Sequence, residues 1–128
     1  QSPITDARFR TAVRGIFAIG NLIHPAETAD VCALDGRSVG GSIVDWLEHD
    51  NWPESAQPIT VAAPIRWAAH TSRGIVVRVS EFASGDVIVR SADGQVLTRS
   101  RRRLVPNRSI LVADRGIPAA LLTIDTRA

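Results

Sequence analysis

Six short apolar runs, separated by turn residues, fill the second half of the chain and constrain its fold more than any other feature. After Pro53 they read ITVAAPIRWAAHT, GIVVRVSEF, DVIVRSA, QVLTRSRRRLV, SILVADR and ALLTIDT. Runs this short and this rich in Val, Ile and Thr are typical of β-strands. Asp93-Gly94, between the third and fourth runs, is a strong hairpin signal. We therefore predict that residues 59–128 form a small antiparallel β-sandwich or barrel.

The N-terminal part of the chain predicts one strand and one helix, which are too few to close a core. Residues 15–19, GIFAI, have no polar face and predict a buried strand that ends at Gly20-Asn21. Thr28 is a candidate N-cap for a helix that stops before Pro53. We expect an α+β fold that is mainly β. The predicted buried face of the helix carries Cys32, Val39, Ile43, Trp46 and Leu47. The charged residues are expected mainly on the other, solvent-facing sides: Asp30, Asp35, Arg37, Asp45 and Glu48.

Length and composition limit the class of protein. The chain has 128 residues, enough for one ordinary domain or for a small domain and part of another. Its apolar runs fall short of the roughly 18 residues that cross a membrane, so we expect no membrane partner. The single cysteine, Cys32, excludes an intramolecular disulfide and suits the reducing cytoplasm. Because the sequence lacks Met, we expect a piece of a longer protein or a processed subunit.

A motif in the N-terminal part resembles a flavin-binding signature. Residues 11–21 read TAVRGIFAIGN, with Thr11, Gly15, Phe17 and Gly20 in order, and a glycine-bearing helix follows. This resembles the second flavin-binding signature of the pyridine nucleotide-disulfide oxidoreductase-like flavoproteins, which have two dinucleotide-binding domains. Their signature is a Thr, a short spacer, an apolar pair with Phe-Ala, and then Gly-Asp. The similarity covers about residues 5–47.

The resemblance implies FAD as the cofactor and five residues beside it. Thr11, Gly20, Asn21, Ala29 and Asp30 would line the flavin, the last two through backbone N–H groups at the positive end of the helix. Asn21 stands where the family usually has Asp, and its side-chain oxygen can still accept a hydrogen bond from the ribityl chain. The family reaction is hydride or electron transfer between a nicotinamide, FAD and a second substrate or acceptor.

The same resemblance implies two parts of a larger protein. Residues 1–52 would be the C-terminal segment of an FAD-binding domain, and residues 59–128 a small β-rich accessory domain. The remainder of the flavoprotein chain, or a partner subunit, would supply the other walls of the flavin site. Gly36 and Gly40 would let the helix pack closely against that neighbouring layer. This chain alone is then expected to bind no FAD and to catalyse no turnover.

The sequence indicates no catalytic residue and no metal ligand. It lacks the G-x-G-x-x-G phosphate-binding fingerprint and the paired cysteines of the disulfide reductases. His24, His49 and His70 are scattered and do not have the spacing of metal ligands. Three tryptophans flank the linker, and we expect them to anchor the helix to the β domain: Trp46, Trp52 and Trp67.

Two other functions fit the sequence. One is a non-enzymatic β-rich interaction or oligomerisation domain, with a homodimer formed through the N-terminal strand. The other is an Arg-rich nucleic-acid-binding barrel, but alternation along a strand sends neighbouring arginines to opposite faces. Phe82 is also the only aromatic residue after position 70, so stacking on bases is disfavoured. The arginines concerned are Arg99, Arg101, Arg102, Arg103 and Arg108.

Overall fold

The computed structural model of the chain describes residues 2–24, 27–53, 59–113 and 120–125. Parts of the two predicted domains, namely residues 1, 25–26, 114–119 and 126–128, lie outside these ranges. Over the described residues the fold is α+β and mainly β, which confirms the predicted class. The elements are a 3₁₀ turn (Gly20–Leu22), α1 (Ala29–His49), β1 (Ile59–Val61), β2 (Ile65–Thr71), β3 (Gly74–Val79), β4 (Ala83–Ser91), β5 (Val96–Leu104), β6 (Ile110–Val112) and β7 (Ala120–Asp125).

The strands form two sheets, one with the order β1-β7-β4-β5 and one with the order β2-β3-β6. The predicted hairpin is confirmed, since β4 and β5 pair antiparallel across Asp93-Gly94 and Gly94 has a φ of 87°. One pairing differs from the all-antiparallel prediction, because β1 and β7 run parallel. These strands are the first and last of the β domain in sequence, so no tight hairpin connects them and fixes their relative direction.

The core of the β domain contains inward-facing side chains from both sheets. Ile75, Val77 and Val79 alternate along β3, and Val87 and Val89 do so along β4. The intervening residues of β3 lie on the opposite face of its sheet. That second face is the one that meets the N-terminal part of the chain.

The predicted N-terminal strand at residues 15–19 is wrong as an isolated strand. Phe17 makes a single antiparallel bridge with Arg10, and the chain between them forms a turn. Ile16, which a buried strand would cover, is 52% exposed. A strand needs a neighbour for its backbone groups, and the described residues supply only this one bridge.

Helix α1 begins and ends where the sequence predicts, but its buried face is rotated. Thr28 is the N-cap residue, although its side chain makes no capping hydrogen bond, and the helix ends at His49 ahead of Pro53. Val39 is buried as predicted, whereas Leu47 is 70% exposed. Asp35, which the sequence places with the solvent-facing charges, is fully buried.

The tryptophans divide between two contacts. Trp46 and Trp52 pack edge-to-face with each other and with Phe17, at ring-centroid distances of 5.1 to 6.1 Å. They therefore join α1 to the N-terminal segment, not to the β domain as predicted. Trp67 on β2 links the β domain to the N-terminal part of the chain, because its ring stacks on His24.

We predict that Ile75→Ala lowers the free energy of unfolding by about 2–5 kcal/mol, because Ile75 is fully buried in the core of the β domain. The matched control is Leu111→Ala on neighbouring β6, where the side chain is 45% exposed and the loss is about 1 kcal/mol or less. Urea unfolding of both variants measures the difference. Equal losses would contradict the assigned register.

Candidate functional site

The Gly20-Asn21 turn lies against the start of α1. Gly20 is buried with a φ of 66°, a conformation that favours glycine, and a Cβ built there would lie 3.5 Å from Cys32 Sγ. Its N–H donates to Asp35 Oδ2 at 3.1 Å, so the close approach that Gly20 permits is to this chain's own helix. Asn21 is exposed, and its Oδ1 accepts a hydrogen bond from the Glu27 N–H at 3.1 Å.

The first residues of α1 are open to solvent. Ala29 and Asp30 are both exposed, and Thr28 provides no side-chain cap. The first N–H groups of a helix have no intrahelical acceptor and carry partial positive charge. This end of the helix can therefore donate hydrogen bonds to an anionic or electron-rich group.

Thr11 has a local structural role. Its hydroxyl donates to the Ile16 carbonyl at 2.9 Å and accepts the Val13 N–H at 3.1 Å. Its carbonyl accepts the Trp52 indole N–H at 3.2 Å. Among the five expected flavin residues, the structure therefore groups Gly20 and Asn21 near Ala29 and Asp30, and it uses Thr11 within its own turn.

A buried polar cluster that the sequence analysis missed holds this region together. His24 and Asp35 are both fully buried, and the His24 Nε2–H donates to the same Asp35 oxygen that accepts the Gly20 N–H. Arg73, in the turn between β2 and β3, places its guanidinium 3.7 Å from the other Asp35 oxygen. One signal was present, because Asp35 lies between Cys32 and Val39 at helical spacing on the apolar stripe.

A second set of contacts reaches Asn21 from the β domain. The Arg78 guanidinium on β3 donates to Glu27 Oε1 and Ser109 Oγ at 3.2 and 3.1 Å. Glu27, whose backbone holds Asn21, has a side chain only 3% exposed in this pair. The Arg78 guanidinium also lies 6.0 Å from the centroid of the Trp67 ring, which stacks on His24.

One side of α1 is exposed to solvent within the described part of the chain. We call it the open face of α1. Gly36 and Gly40 lie on it with no atom within 4 Å of a built Cβ, and Val44 and Leu47 are 53% and 70% exposed. Its residues repeat at helical spacing and are small or aliphatic: Ala29, Ala33, Gly36, Gly40, Val44 and Leu47.

The arginines of β5 alternate between the two faces of the strand, as predicted. Arg99, Arg101 and Arg103 share one face of this edge strand because they alternate with its other residues. Only Arg102 lies on the opposite face. Asp86 on β4 pairs with Arg99 at 3.5 Å and lies beside Arg101 in register, so it neutralises part of the row.

A separate cleft of about 520 Å³ lies between the N-terminal segment, α1 and the turn after β2. Arg8, Ser42, Asp45 and Ser72 are among its lining residues, and none of the five expected flavin residues is. Across the described ranges there is no group of three potential metal ligands. Within the same ranges, no helix is long and apolar enough to cross a membrane.

Comparison with protein-family models, with curated proteins and with solved structures gives no match to this chain.

We predict that Asp45 makes stability depend on acid pH. A hydrogen bond from Asn51, together with the charge of nearby Arg8, lowers the pKa of Asp45 below its ordinary value of 3.8. Below that value the unfolded chain takes up the proton first, so the contribution of Asp45 is lost as pH falls through its lowered pKa. Asp45→Asn should therefore flatten the acid side of the curve of unfolding free energy against pH.

The control for this experiment is Glu48→Gln, because Glu48 is exposed and makes no hydrogen bond or ion pair with the described residues. Urea unfolding across the acid range measures both variants. If Asp45→Asn and the unsubstituted protein lose stability in parallel, the interactions of Asp45 do not contribute in solution.

Proposed function

We propose that this chain is the C-terminal part of an FAD-dependent oxidoreductase and that it contributes one side of the flavin site. The observation that carries the proposal is the position of the Gly20-Asn21 turn beside an exposed helix start, next to a helix face that no described residue covers. These are the features that the flavin-binding signature implies. A cytoplasmic location, suggested by the lone Cys32, is part of the same proposal.

The exposed apolar residues on the open face of α1 are evidence for a neighbouring protein layer. Burial of exposed aliphatic side chains such as Val44 and Leu47 is favourable by about 25 cal/mol of free energy per Å² of apolar surface. Gly36 and Gly40 lack side chains that would hold a neighbour at a distance. We propose that the nucleotide-binding layer of the same flavoprotein, or of a partner subunit, covers this face.

Three of the five residues that the signature implies have groups available to bind FAD, namely Asn21, Ala29 and Asp30. Asn21 is exposed, and a side-chain amide oxygen can accept a second hydrogen bond beside the one from Glu27. Ala29 and Asp30 are exposed residues, and the N–H groups at this end of the helix can stabilise negative charge that develops on a flavin ring. Gly20 shapes the turn, since Asp35 already accepts its N–H.

This chain's residues would hold and orient the cofactor, and FAD would supply the redox chemistry. The proposed reaction is hydride or electron transfer between a nicotinamide, FAD and a second substrate or acceptor. We propose that this chain alone binds no FAD and is inactive, because the other walls of the flavin site belong to the remainder of the flavoprotein or to a partner subunit.

The test is to purify the protein encoded by the whole gene that contains this chain and to measure its flavin absorbance. We predict bound FAD. Asn21→Ala should weaken flavin binding about two- to tenfold, which is the range of one hydrogen bond. Asn21→Asp, which restores the carboxylate of the family, should retain FAD, and the exposed control Asn107→Ala should be neutral. A full protein that has no nucleotide-binding fold and no flavin would overturn the proposal.

A second candidate is a non-enzymatic interaction domain in which a second copy covers the open face of α1. The exposure of Val44 and Leu47 favours this candidate more than exchange of residues 15–19, which form only one bridge. It predicts a concentration-dependent dimer in analytical ultracentrifugation. Leu47→Lys should abolish that dimer, whereas Leu111→Lys, at an exposed position on β6, should not. A monomer at all concentrations would exclude this candidate.

A further inference from the structure

The β domain is tied to the Gly20-Asn21 turn by two sets of contacts. Each begins at one residue of the turn and ends at an arginine of the three-stranded sheet. The arginines are Arg73, between β2 and β3, and Arg78, on β3 itself. Both arginines therefore belong to the same hairpin, formed by β2 and β3.

We call the two sets of contacts tethers, and the first tether runs through Asp35. This carboxylate accepts the Gly20 N–H at 3.1 Å and also binds His24, and neither Asp35 nor His24 is exposed. The Arg73 guanidinium, 3.7 Å away, is the basic side chain that the β domain brings to this carboxylate. The Thr71 hydroxyl fixes the turn that carries Arg73 by donating to the Gly74 carbonyl at 2.8 Å and accepting the Arg73 N–H.

The second tether runs through Glu27. Its backbone N–H donates to Asn21 Oδ1, and its carboxylate accepts a hydrogen bond from Arg78. The side chains of Glu27 and Arg78 are 3% and 11% exposed, so water and salt screen this pair less than a surface pair. Ser109 accepts a further hydrogen bond from Arg78 and fixes the position of the guanidinium.

The two tethers meet at Trp67. Its ring stacks on His24, with centroids 6.5 Å apart and planes at 24°, and the Arg78 guanidinium lies over the same ring. The contacts therefore close a loop from Gly20 through Asp35, His24, Trp67, Arg78 and Glu27 back to Asn21. Contacts in a connected network of this kind can stabilise one another beyond the sum of the separate pairs.

We propose that the β domain positions the Gly20-Asn21 turn through Arg73 and Arg78, which makes these arginines positioning residues for the candidate flavin site. This inference rests on the proposed function for its biological meaning, but the mechanical coupling stands on the contacts alone. The β domain is then a structural part of the site. Its removal would release the turn even if α1 stayed folded.

The experiment measures amide hydrogen exchange by NMR in this chain. The reporters are the Gly20 N–H, bound to Asp35, and the Glu27 N–H, bound to Asn21. Arg73→Gln should speed exchange at Gly20, and Arg78→Gln should speed exchange at Glu27, each at least about tenfold through local opening. Amides of β4, a central strand of the other sheet, should be unchanged and serve as the internal reference.

The control variant is Arg66→Gln, because Arg66 lies on β2 next to Trp67 but is exposed and makes no hydrogen bond or ion pair with the described residues. It should leave both reporters unchanged. Glu27→Gln breaks the second pair from its other end, so its effect on the Glu27 reporter should match that of Arg78→Gln and should not add to it. This variant decides the question if Arg78→Gln fails to fold.

Unchanged exchange at both reporters, or an increase that the β4 amides share equally, would overturn the positioning role.

A second experiment separates this result from the proposed function. In the protein encoded by the whole gene, Arg73→Gln and Arg78→Gln should weaken flavin binding, and Arg66→Gln should not. If exchange at Gly20 and Glu27 becomes faster in the variants but the whole protein binds no flavin, the coupling stands and the proposed function is wrong. If exchange stays unchanged but the whole protein binds flavin, the proposed function stands and the coupling is wrong.

Discussion

The buried carboxylate of Asp35 is the interaction on which the rest of the structure depends. It binds the backbone of Gly20, the ring of His24 and, at longer range, the guanidinium of Arg73. These three groups belong to the turn, the segment after it and the β domain. A charge removed from water needs several partners, and loss of one partner from a buried pair typically costs about 3–5 kcal/mol. Through these contacts Asp35 joins the turn, the segment after it and the β domain.

The functional proposal follows from what Asp35 leaves exposed. By taking the Gly20 N–H, it fixes the turn so that Asn21 faces solvent beside the start of α1. By occupying the buried side of the helix, it also sets which side stays open. Gly36 and Leu47 lie on that side, where Leu47 is 70% exposed. A polar edge and an uncovered apolar face, side by side, are what one wall of a cofactor site in a larger protein would present.

The parts of this fold that the sequence predicts are those set by local signals. β-Branched runs and the Asp93-Gly94 turn specify strands and a hairpin without reference to distant residues. The strand at residues 15–19 was wrong because strands depend on neighbours that a local pattern does not contain. Asp35 was grouped with the other charges because an acidic side chain is expected in water, although its helical spacing from Cys32 and Val39 puts it on the apolar stripe. Its burial depends on Arg73 and His24, and spacing along the helix says nothing about their position.

The central claim is that the Gly20-Asn21 turn and the first residues of α1 form the flavin-facing edge of a larger protein. A crystal structure of the protein encoded by the whole gene, grown with FAD, tests it most directly. The account predicts flavin atoms within hydrogen-bond distance, about 3 Å, of Asn21 or of the Ala29 and Asp30 amides, with the open face of α1 covered by a nucleotide-binding layer. A structure in which this face is covered and the turn lies far from any flavin would contradict it.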